Sequence, residues 1–179
     1  MNQNVLVLSA SPRKGGNSDL LCDQFMKGAT ESGNHAEKIF VQEKKINFCR
    51  GCLACQKNGG ECVQDDDMAE ILEKMIRADV LVMATPVYFY NMDAQMKVLI
   101  DRTCSRYTEI SNKKVYLIAT STDTGPEAMT GTINGFRAAL SCYPHAEVAG
   151  IISGTGVTDV GDIRGKPAMA RAYEMGSDL

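Results

Sequence analysis

The chain has 179 residues, with 19 Lys and Arg against 22 Asp and Glu and a formal net charge of −3. This length suits a single domain over residues 1–179, and the near balance of charge argues against a nucleic-acid partner. No apolar stretch reaches the roughly 20 residues of a membrane helix and no signal-peptide pattern is found, so we expect a cytoplasmic protein with no membrane partner. Seven cysteines in a reducing compartment favour metal or redox roles over a disulfide framework.

Apolar runs alternate with helical patterns along the whole chain. The predicted strands cover residues 5–9, 36–41, 79–84, 114–119 and 147–153. The predicted helices cover residues 18–32, 67–78, 92–104, 125–139 and 161–175, and Gly176 is expected to end the last of them. Apolar strands separated by helices predict an α/β fold, with a doubly wound parallel sheet of five strands and helices on both faces.

The loop between the first strand and the first helix carries the donors that an anion needs. Ser11, Asn17 and Ser18 offer hydroxyl and amide groups, and Arg13 and Lys14 add positive charge. The helix that follows directs its N-terminal dipole at the loop. Neither a P-loop nor a G-x-G-x-x-G pattern occurs, which argues against a nucleoside triphosphate. We predict a phosphate site here, and the alternative is an ordinary surface turn with a good helix cap.

A cysteine-rich loop, residues 48–63, separates the second strand from the second helix. Cys49, Cys52 and Cys55 recur at intervals of three, and Cys62 follows seven residues later. Four thiolates from one compact loop suit an iron–sulfur cluster. Zinc, a disulfide and free thiols are the alternatives, and zinc is disfavoured because all four ligands crowd one loop instead of forming two separated knuckles.

Two further loops follow the third and fourth predicted strands. Residues 85–92 combine a proline, three adjacent aromatic residues and an asparagine, whereas residues 120–125 offer hydroxyls and backbone amides. Because ligands gather at the carboxyl ends of parallel strands, a planar ring is expected beside the phosphate, as in FMN. The alternative for Tyr88, Phe89 and Tyr90 is a patch of core or of subunit interface.

The remaining cysteines and the acidic run before the second helix are expected to be structural. Cys22 and Cys104 lie in apolar helical patterns and Cys142 ends one, so each is predicted to be a small buried hydrophobe. Asp66 or Asp67 is the expected N-cap of the second helix.

Several segments resemble the NADPH-dependent FMN reductase branch of the flavodoxin-like superfamily. They are the Ser-x-Arg loop at residues 11–13, the Thr-Pro-Val-Tyr run at residues 85–88, and the helix with Met-Lys at 96–97 and Ile-Asp-Arg at 100–102. The cysteine loop resembles that of the iron–sulfur flavoproteins, a subgroup that binds a [4Fe–4S] cluster. The likeness covers essentially the whole chain and implies a flavodoxin-like, three-layer doubly wound fold.

The resemblance also implies which residues hold the cofactors. For the FMN phosphate it implies Ser11, Arg13, Asn17 and Ser18, to which the charge pattern adds Lys14. For the isoalloxazine ring it implies Pro86, Val87, Tyr88 and Phe89, with further contacts from Asn91, Thr120 and Ser121. For the cluster it implies Cys49, Cys52, Cys55 and Cys62.

The same resemblance implies a homodimer or a dimer of dimers, with the flavin near the subunit interface and the helix of Lys97 contributing to it. Asp101 and Arg102 are expected to be structural, as an ion pair or a helix-cap network, and not catalytic. No catalytic acid or base is predicted, because the cofactor carries the chemistry.

The predicted function is an FMN-dependent oxidoreductase that moves electrons from NAD(P)H or a ferredoxin-like donor to a small molecule or redox protein, through the cluster if one is bound. One alternative is a non-catalytic flavin electron carrier, although flavodoxins lack the cysteine loop and are more acidic. Another is a simple FMN reductase whose cysteine loop is structural or zinc-bound. A receiver-type module would need an acidic pocket where this chain has a cationic loop.

Overall fold

The computed structural model describes residues 2–179. Its strands are β1 (Asn4–Ser9), β2 (His35–Phe40), β3 (Val80–Tyr88), β4 (Asn91–Met92), β5 (Lys114–Thr120) and β6 (Glu147–Gly154). Five of them run parallel in the order β2-β1-β3-β5-β6, which is the flavodoxin-like order, and β4 pairs antiparallel with β3. The predicted fold class is therefore confirmed, with β4 as an unpredicted addition.

Helices cover both faces of this sheet. They are α1 (Asn17–Glu31), α2 (Met68–Arg77), α3 (Ala94–Arg102), α4 (Thr130–Leu140) and α5 (Pro167–Ser177). One core layer joins Leu6 and Leu8 of β1 to α2, α3 and α4, and the other joins Val5 and Val7 to α1 and α5. Because neighbouring residues of one strand enter opposite cores, the strands are apolar throughout instead of alternating.

The crossing of α1 and α5 depends on two glycines. A Cβ at Gly28 would lie 2.1 Å from the Tyr173 carbonyl oxygen, and a Cβ at Gly176 would lie 2.1 Å from the Phe25 carbonyl oxygen. The prediction that Gly176 ends the last helix is wrong, since this glycine lies inside α5 and lets the two backbones touch. The start predicted at residue 161 is also wrong, because α5 begins at Pro167, which suits a first helical position.

Within residues 2–179, no helix combines the length and apolar character that crossing a bilayer requires.

Candidate functional site

The three loops singled out in the sequence meet at one edge of the sheet. Ser9 at the end of β1 pairs in register with Ala84 of β3, and Pro86 of β3 pairs with Thr120 at the end of β5. The loops that leave these strands are therefore neighbours. This edge is where doubly wound sheets bind their ligands.

The first loop curls tightly before α1. The Ser11 hydroxyl donates to the Arg13 carbonyl oxygen (2.9 Å), and the Gly16 N–H donates to the same oxygen (2.9 Å). A Cβ at Gly16 would lie 2.7 Å from Ser11 Oγ, so the turn has room only for glycine there. The first N–H groups of α1 have no partner within the helix and are available to an anion. The loop therefore fits a phosphate group.

The carboxylate of Asp19, a residue that the sequence analysis did not single out, holds this loop in place through hydrogen bonds. This buried carboxylate accepts hydrogen bonds from Ser9 Oγ (2.8 Å), the Gly15 N–H (2.9 Å) and Lys38 Nζ (2.9 Å). Burial alone would raise its pKa, but the bonds from Lys38, Gly15 and Ser9 outweigh burial and hold the pKa below its usual value. The carboxylate therefore stays ionised and fixes Gly15, which has a φ of +70°.

The predicted phosphate ligands differ in their burial and in the hydrogen bonds and ion pairs that they already make within the protein. Ser11 and Ser18 are buried in the loop. Asn17 donates from Nδ2 to the Asp159 carbonyl oxygen (3.0 Å), so its amide holds the segment after β6 against α1. Arg13 donates to the Thr158 carbonyl oxygen (2.9 Å) and Lys14 pairs with Glu43 (2.8 Å), and both remain exposed.

The aromatic run forms the tip of the β3–β4 hairpin. Tyr88 pairs with Asn91 across the turn, and Phe89 and Tyr90 occupy the left-handed region with φ of 48° and 60°. Two successive positive φ values are typical of a type I′ turn, which bulky residues adopt only with strain. Phe89 is fully exposed and its aromatic neighbours are about half-exposed, so the core alternative for this run is wrong, while the interface alternative stays open.

The hairpin lies directly on the start of α4. A Cβ at Gly131 would lie 2.1 Å from the Tyr90 carbonyl oxygen, and the Tyr90 hydroxyl donates to Asp123 Oδ2 (3.2 Å) in the loop after β5. In that loop, Thr120 and Ser121 are buried, and the Ser121 hydroxyl donates to the Asp123 carbonyl oxygen (2.6 Å). The residues predicted to contact the ring therefore lie around the carboxyl ends of β3 and β5.

Asp93 lies at the base of the hairpin and was not predicted to matter. Its N–H donates to Thr85 Oγ1 (3.0 Å), and its Oδ1 accepts from the Met96 N–H (3.0 Å), which caps α3 and starts that helix after the predicted residue 92. Its Oδ2 is buried without a hydrogen-bond partner among the described residues. Burial of this carboxyl raises its pKa to about 6, although the bonds from Met96 and Thr85 oppose the shift.

The cysteine loop is tied at its base to the end of α3. Arg102 donates from Nη1 to Asp66 Oδ2 (2.7 Å) and from Nη2 to Asp66 Oδ1 (2.9 Å), and Nη1 also reaches the Asn47 carbonyl oxygen (2.7 Å). Burial would raise the pKa of Asp66, but the Arg102 hydrogen bonds outweigh it and lower the pKa to about 2. The structural role expected for Arg102 is thus found with Asp66, whereas Asp101 pairs with Lys97 (2.7 Å).

The N-cap prediction for α2 is only partly right. Asp67 occupies the N-cap position, but its side chain makes no capping bond to the helix. Its Oδ2 instead accepts from the Lys45 N–H (2.7 Å), while Asp66 Oδ1 accepts from the Met68 N–H (3.2 Å). Asp67 therefore joins the segment before the cysteine loop to α2, and Asp66 joins Arg102 to the start of α2.

The four loop thiols share one exposed segment without closing on a common centre. Cys49, Cys52 and Cys62 are exposed and Cys55 is half-buried. In residues 2–179, no three His, Cys, Asp or Glu side chains are placed to hold a metal ion. The all-thiol donor set fits an iron–sulfur cluster chemically, and its assembly would require the loop to draw together. The cluster therefore stays a prediction.

Two of the three other cysteines differ from expectation. Cys22 is fully buried, as predicted, and burial raises its pKa far above the usual range. Cys104 and Cys142 are exposed and line, with Cys49, a groove of about 410 Å³. The prediction that they are buried is wrong because both helices end before these residues, and no signal in the local sequence places Cys104 beside the cysteine loop.

Comparison with known proteins points to one family. A family model described as NADPH-dependent FMN reductase matches residues 3–152. An iron-sulfur flavoprotein of Archaeoglobus fulgidus is 34% identical over 174 residues, which cover 94% of this chain and 75% of that protein. An iron-sulfur flavoprotein of Methanocaldococcus jannaschii is 41% identical over 99 residues, and the match covers 55% of this chain and 51% of that protein, so the chain spans about half the length of that relative.

Solved structures show the same fold. An NAD(P)H:quinone oxidoreductase from Methanothermobacter marburgensis superposes with a TM-score of 0.79 at 18% identity, covering 100% of this chain and 98% of that one. An FMN-dependent NADH-azoreductase from Bacillus anthracis, solved in complex with FMN, gives a TM-score of 0.74 at 17% identity, covering 98% and 99%. At these identities the likeness concerns the fold alone.

Proposed function

Because the chain belongs to the NADPH-dependent FMN reductase family, we propose that it is an FMN-dependent oxidoreductase that takes electrons from NAD(P)H and passes them to a small acceptor. The observation that carries the proposal is the meeting of a tight, amide-rich loop with an exposed aromatic hairpin at one sheet edge. A ferredoxin-like donor is the second candidate, and the exposed cysteine loop favours it. We assign the reaction to the cytoplasm, where seven free thiols remain reduced.

Bound FMN would supply the hydride and electron chemistry, and the residues of this chain would bind and orient it. The N–H groups at the start of α1 and the hydroxyls of Ser11 and Ser18 would hold the phosphate. Arg13 would add a charge-assisted hydrogen bond. The ring would lie against the β3–β4 hairpin, where Pro86 and Val87 offer backbone groups and Tyr88 and Phe89 offer side-chain surface, with Asn91, Thr120 and Ser121 at its rim. The exposed hairpin also supports a homodimer or dimer of dimers in which a second subunit covers the ring.

We further propose that Cys49, Cys52, Cys55 and Cys62 bind a [4Fe–4S] cluster, which would supply one-electron transfer. The all-thiol donor set and the 34% identity to a protein named an iron-sulfur flavoprotein support this. A simple FMN reductase with a zinc-bound or metal-free cysteine loop is the second candidate, favoured by the separation of the thiols among the described residues.

One anaerobic experiment tests both parts. The purified chain is reconstituted with FMN, iron and sulfide, and its visible spectrum, iron and labile sulfide are measured. We expect flavin bands together with a broad cluster absorption and about four irons per chain. Flavin bands without iron would leave a simple FMN reductase, and the absence of flavin would contradict the proposed function itself. Ser replacement of any of the four cysteines should abolish iron uptake, with Cys22→Ser as the control that retains it.

The phosphate contact is tested by Arg13→Ala. We expect FMN binding to weaken by roughly 1.5–3 kcal/mol, because a hydrogen bond to a charged group is lost. Lys14→Ala is the comparison, since the Lys14 ammonium already pairs with Glu43 at 2.8 Å and is expected to contribute less. Calorimetric titration of the apoprotein measures both, and unchanged affinity in Arg13→Ala would remove Arg13 from the site.

A further inference from the structure

We propose that Arg102 is a positioning residue of the cysteine site, which fixes Cys62 and donates an N–H···S hydrogen bond that raises the reduction potential of a cluster bound there. This inference rests on the proposed cluster function. Its positioning half concerns the loop itself and applies to the protein without metal.

The contacts of Arg102 use both nitrogens at the end of its guanidinium group. Nη1 donates to the Asn47 carbonyl oxygen and to Asp66 Oδ2, each at 2.7 Å. Nη2 donates to Asp66 Oδ1 at 2.9 Å and to Cys62 Sγ at 3.6 Å. A planar fork can hold these partners together, whereas a lysine ammonium cannot reproduce the geometry. One side chain thus gathers Asn47, which precedes the first loop cysteine, and Cys62, which is the last one.

The burial of this pair indicates a role other than stability. The side chains of Arg102 and Asp66 are 2% and 0% exposed. Burying two charges costs desolvation energy that the ion pair rarely recovers in full, so such a pair is weak evidence for stabilisation. What the pair does here is hold both ends of the cysteine loop at one point, so that the segment with Cys49, Cys52 and Cys55 is closed at its base.

The hydrogen bond to sulfur has an electronic consequence. Reduction adds negative charge to a thiolate-ligated cluster, and donors directed at its sulfur atoms stabilise that charge and raise the potential. The guanidinium that donates to Cys62 is buried and so is shielded from competing water on its own side, while Cys62 itself is exposed. Arg102 is also the last residue of α3, which begins beside the β3–β4 hairpin and spans about 13 Å. The same helix therefore connects the ring loop to the cysteine loop.

The test compares Arg102→Lys and the double variant Arg102→Met/Asp66→Asn with the wild-type chain. The double variant avoids leaving a buried carboxylate unpaired, which would risk unfolding. Arg106→Met is the matched control, because Arg106 lines the same 300 Å³ cavity as Cys62 and Arg102 but pairs with Glu109 and Glu73. Two measurements are made: amide hydrogen exchange over residues 47–64 without metal, and the midpoint potential after anaerobic cluster reconstitution.

We expect amide exchange over residues 47–64 to quicken at least tenfold in Arg102→Lys while exchange in α2 is unchanged, because this variant keeps Asp66 and its bond from the Met68 N–H. We expect the equilibrium of cluster reduction to shift about tenfold toward the oxidised state in the double variant, which is about 59 mV for one electron. Arg106→Met should leave the loop exchange unchanged and the potential near that of the wild type. Unchanged exchange, or an unchanged potential in a loaded double variant, overturns the proposal. If the wild-type chain takes up no iron, the cluster function has failed, and the exchange of residues 47–64 alone decides whether Arg102 positions the loop.

Discussion

At the scale of single residues, Asp93 is the most unusual group of the candidate site. Its side chain caps α3 through one oxygen, while the other is buried with no partner among the described residues. A 1%-exposed carboxylate with an unpartnered oxygen is costly, and burial raises its pKa to about 6, so the neutral acid predominates only below that pH. Because Asp93 is buried at the base of the β3–β4 hairpin and its N–H donates to Thr85 Oγ1, a change in its charge acts directly on that hairpin.

This pKa predicts how stability depends on pH. A carboxyl whose pKa is about 6 in the folded state, above its ordinary value of 3.8, binds more protons folded than unfolded between those values. Stability from this group is therefore present at low pH and is lost as pH rises through about 6. Asp93→Ser keeps a good N-cap without the charge, so its stability relative to the wild type should improve by about 2 kcal/mol between pH 4 and pH 8.

Urea unfolding at several pH values measures this difference. Asp101→Asn, an exposed position on the same helix, serves as the control and should show no comparable trend. A relative stability of Asp93→Ser that stays constant from pH 4 to pH 8 would show that the wild-type carboxyl is not held neutral.

The seven thiols should differ sharply in reactivity. Cys22 is fully buried and its pKa is raised, first by desolvation and then by the charge of Asp19, so its reactive thiolate is scarce. In the metal-free native protein we expect alkylation of Cys104 and Cys142 within the time that leaves Cys22 unmodified. Mass spectrometry of the alkylated peptides gives the rates. Modification of Cys22 before the protein unfolds would contradict its place in the core.

At the scale of elements, the β3–β4 hairpin combines backbone strain with an exposed aromatic surface, and both cost stability. Its tip places Phe89 and Tyr90 in the left-handed region, which favours asparagine and glycine, and exposes three aromatic side chains to solvent. Such strain is found where the surrounding structure or a function maintains it. Gly131 of α4 lets the Tyr90 carbonyl approach, so the hairpin is held in place from beneath.

Replacing the tip should therefore separate stability from function. Phe89→Asn/Tyr90→Gly supplies the residues that a type I′ turn favours, and we expect the apoprotein to gain about 1 kcal/mol or more of stability. FMN binding should weaken, because the aromatic surface proposed for the ring is reduced. Thermal unfolding of the apoprotein and flavin titration measure the two effects. A variant that binds FMN normally would move the ring site away from Phe89.

At the scale of the whole molecule, the sequence predicted the sheet and most of the helices because those signals are local. Runs such as residues 80–84 are apolar on both faces, and only a strand covered by two helical layers suits them. The predictions that proved wrong concern residues whose roles depend on contacts with distant parts of the chain. The local sequence predicts that Gly176 ends a helix, and only the packing of α1 against it shows why a glycine is needed there. The local sequence likewise predicts that Cys104 is a core residue, whereas the fold places it beside Cys49 of the cysteine loop.

The same limit applies to the candidate site. The three loops could be assigned to one sheet edge because parallel strands place their carboxyl ends together. Asp19 and Asp93 could not be recognised, since their roles depend on partners that the fold supplies: Lys38 on β2 for the first and Thr85 on β3 for the second. Arg102 was recognised as structural, but its partner proved to be Asp66, 36 residues away.

The α1–α5 crossing ties global stability to the proposed phosphate loop, the segment between β1 and α1, because α1 carries that loop at its N-terminus. In an open helix, Gly→Ala stabilises by up to about 1 kcal/mol through helix propensity. At Gly176 the added Cβ would lie 2.1 Å from the Phe25 carbonyl oxygen, so the helices must separate. We therefore expect Gly176→Ala to destabilise by about 1–3 kcal/mol, the range found for overpacked cores.

The effect on FMN binding separates the two interpretations of Gly176. If this glycine merely ended the helix in a left-handed conformation, alanine would also cost stability, but FMN binding would not change. If the crossing is as close as described, urea unfolding should show a loss of stability and flavin titration a weaker complex, because a displaced α1 moves the N–H groups proposed to hold the phosphate. Ala170→Gly, on the exposed side of α5, measures the effect of helix propensity on stability without any change at the crossing. It should leave the FMN affinity unchanged. Stabilisation by Gly176→Ala would contradict the close crossing and, with it, the mechanical link between α5 and the phosphate loop.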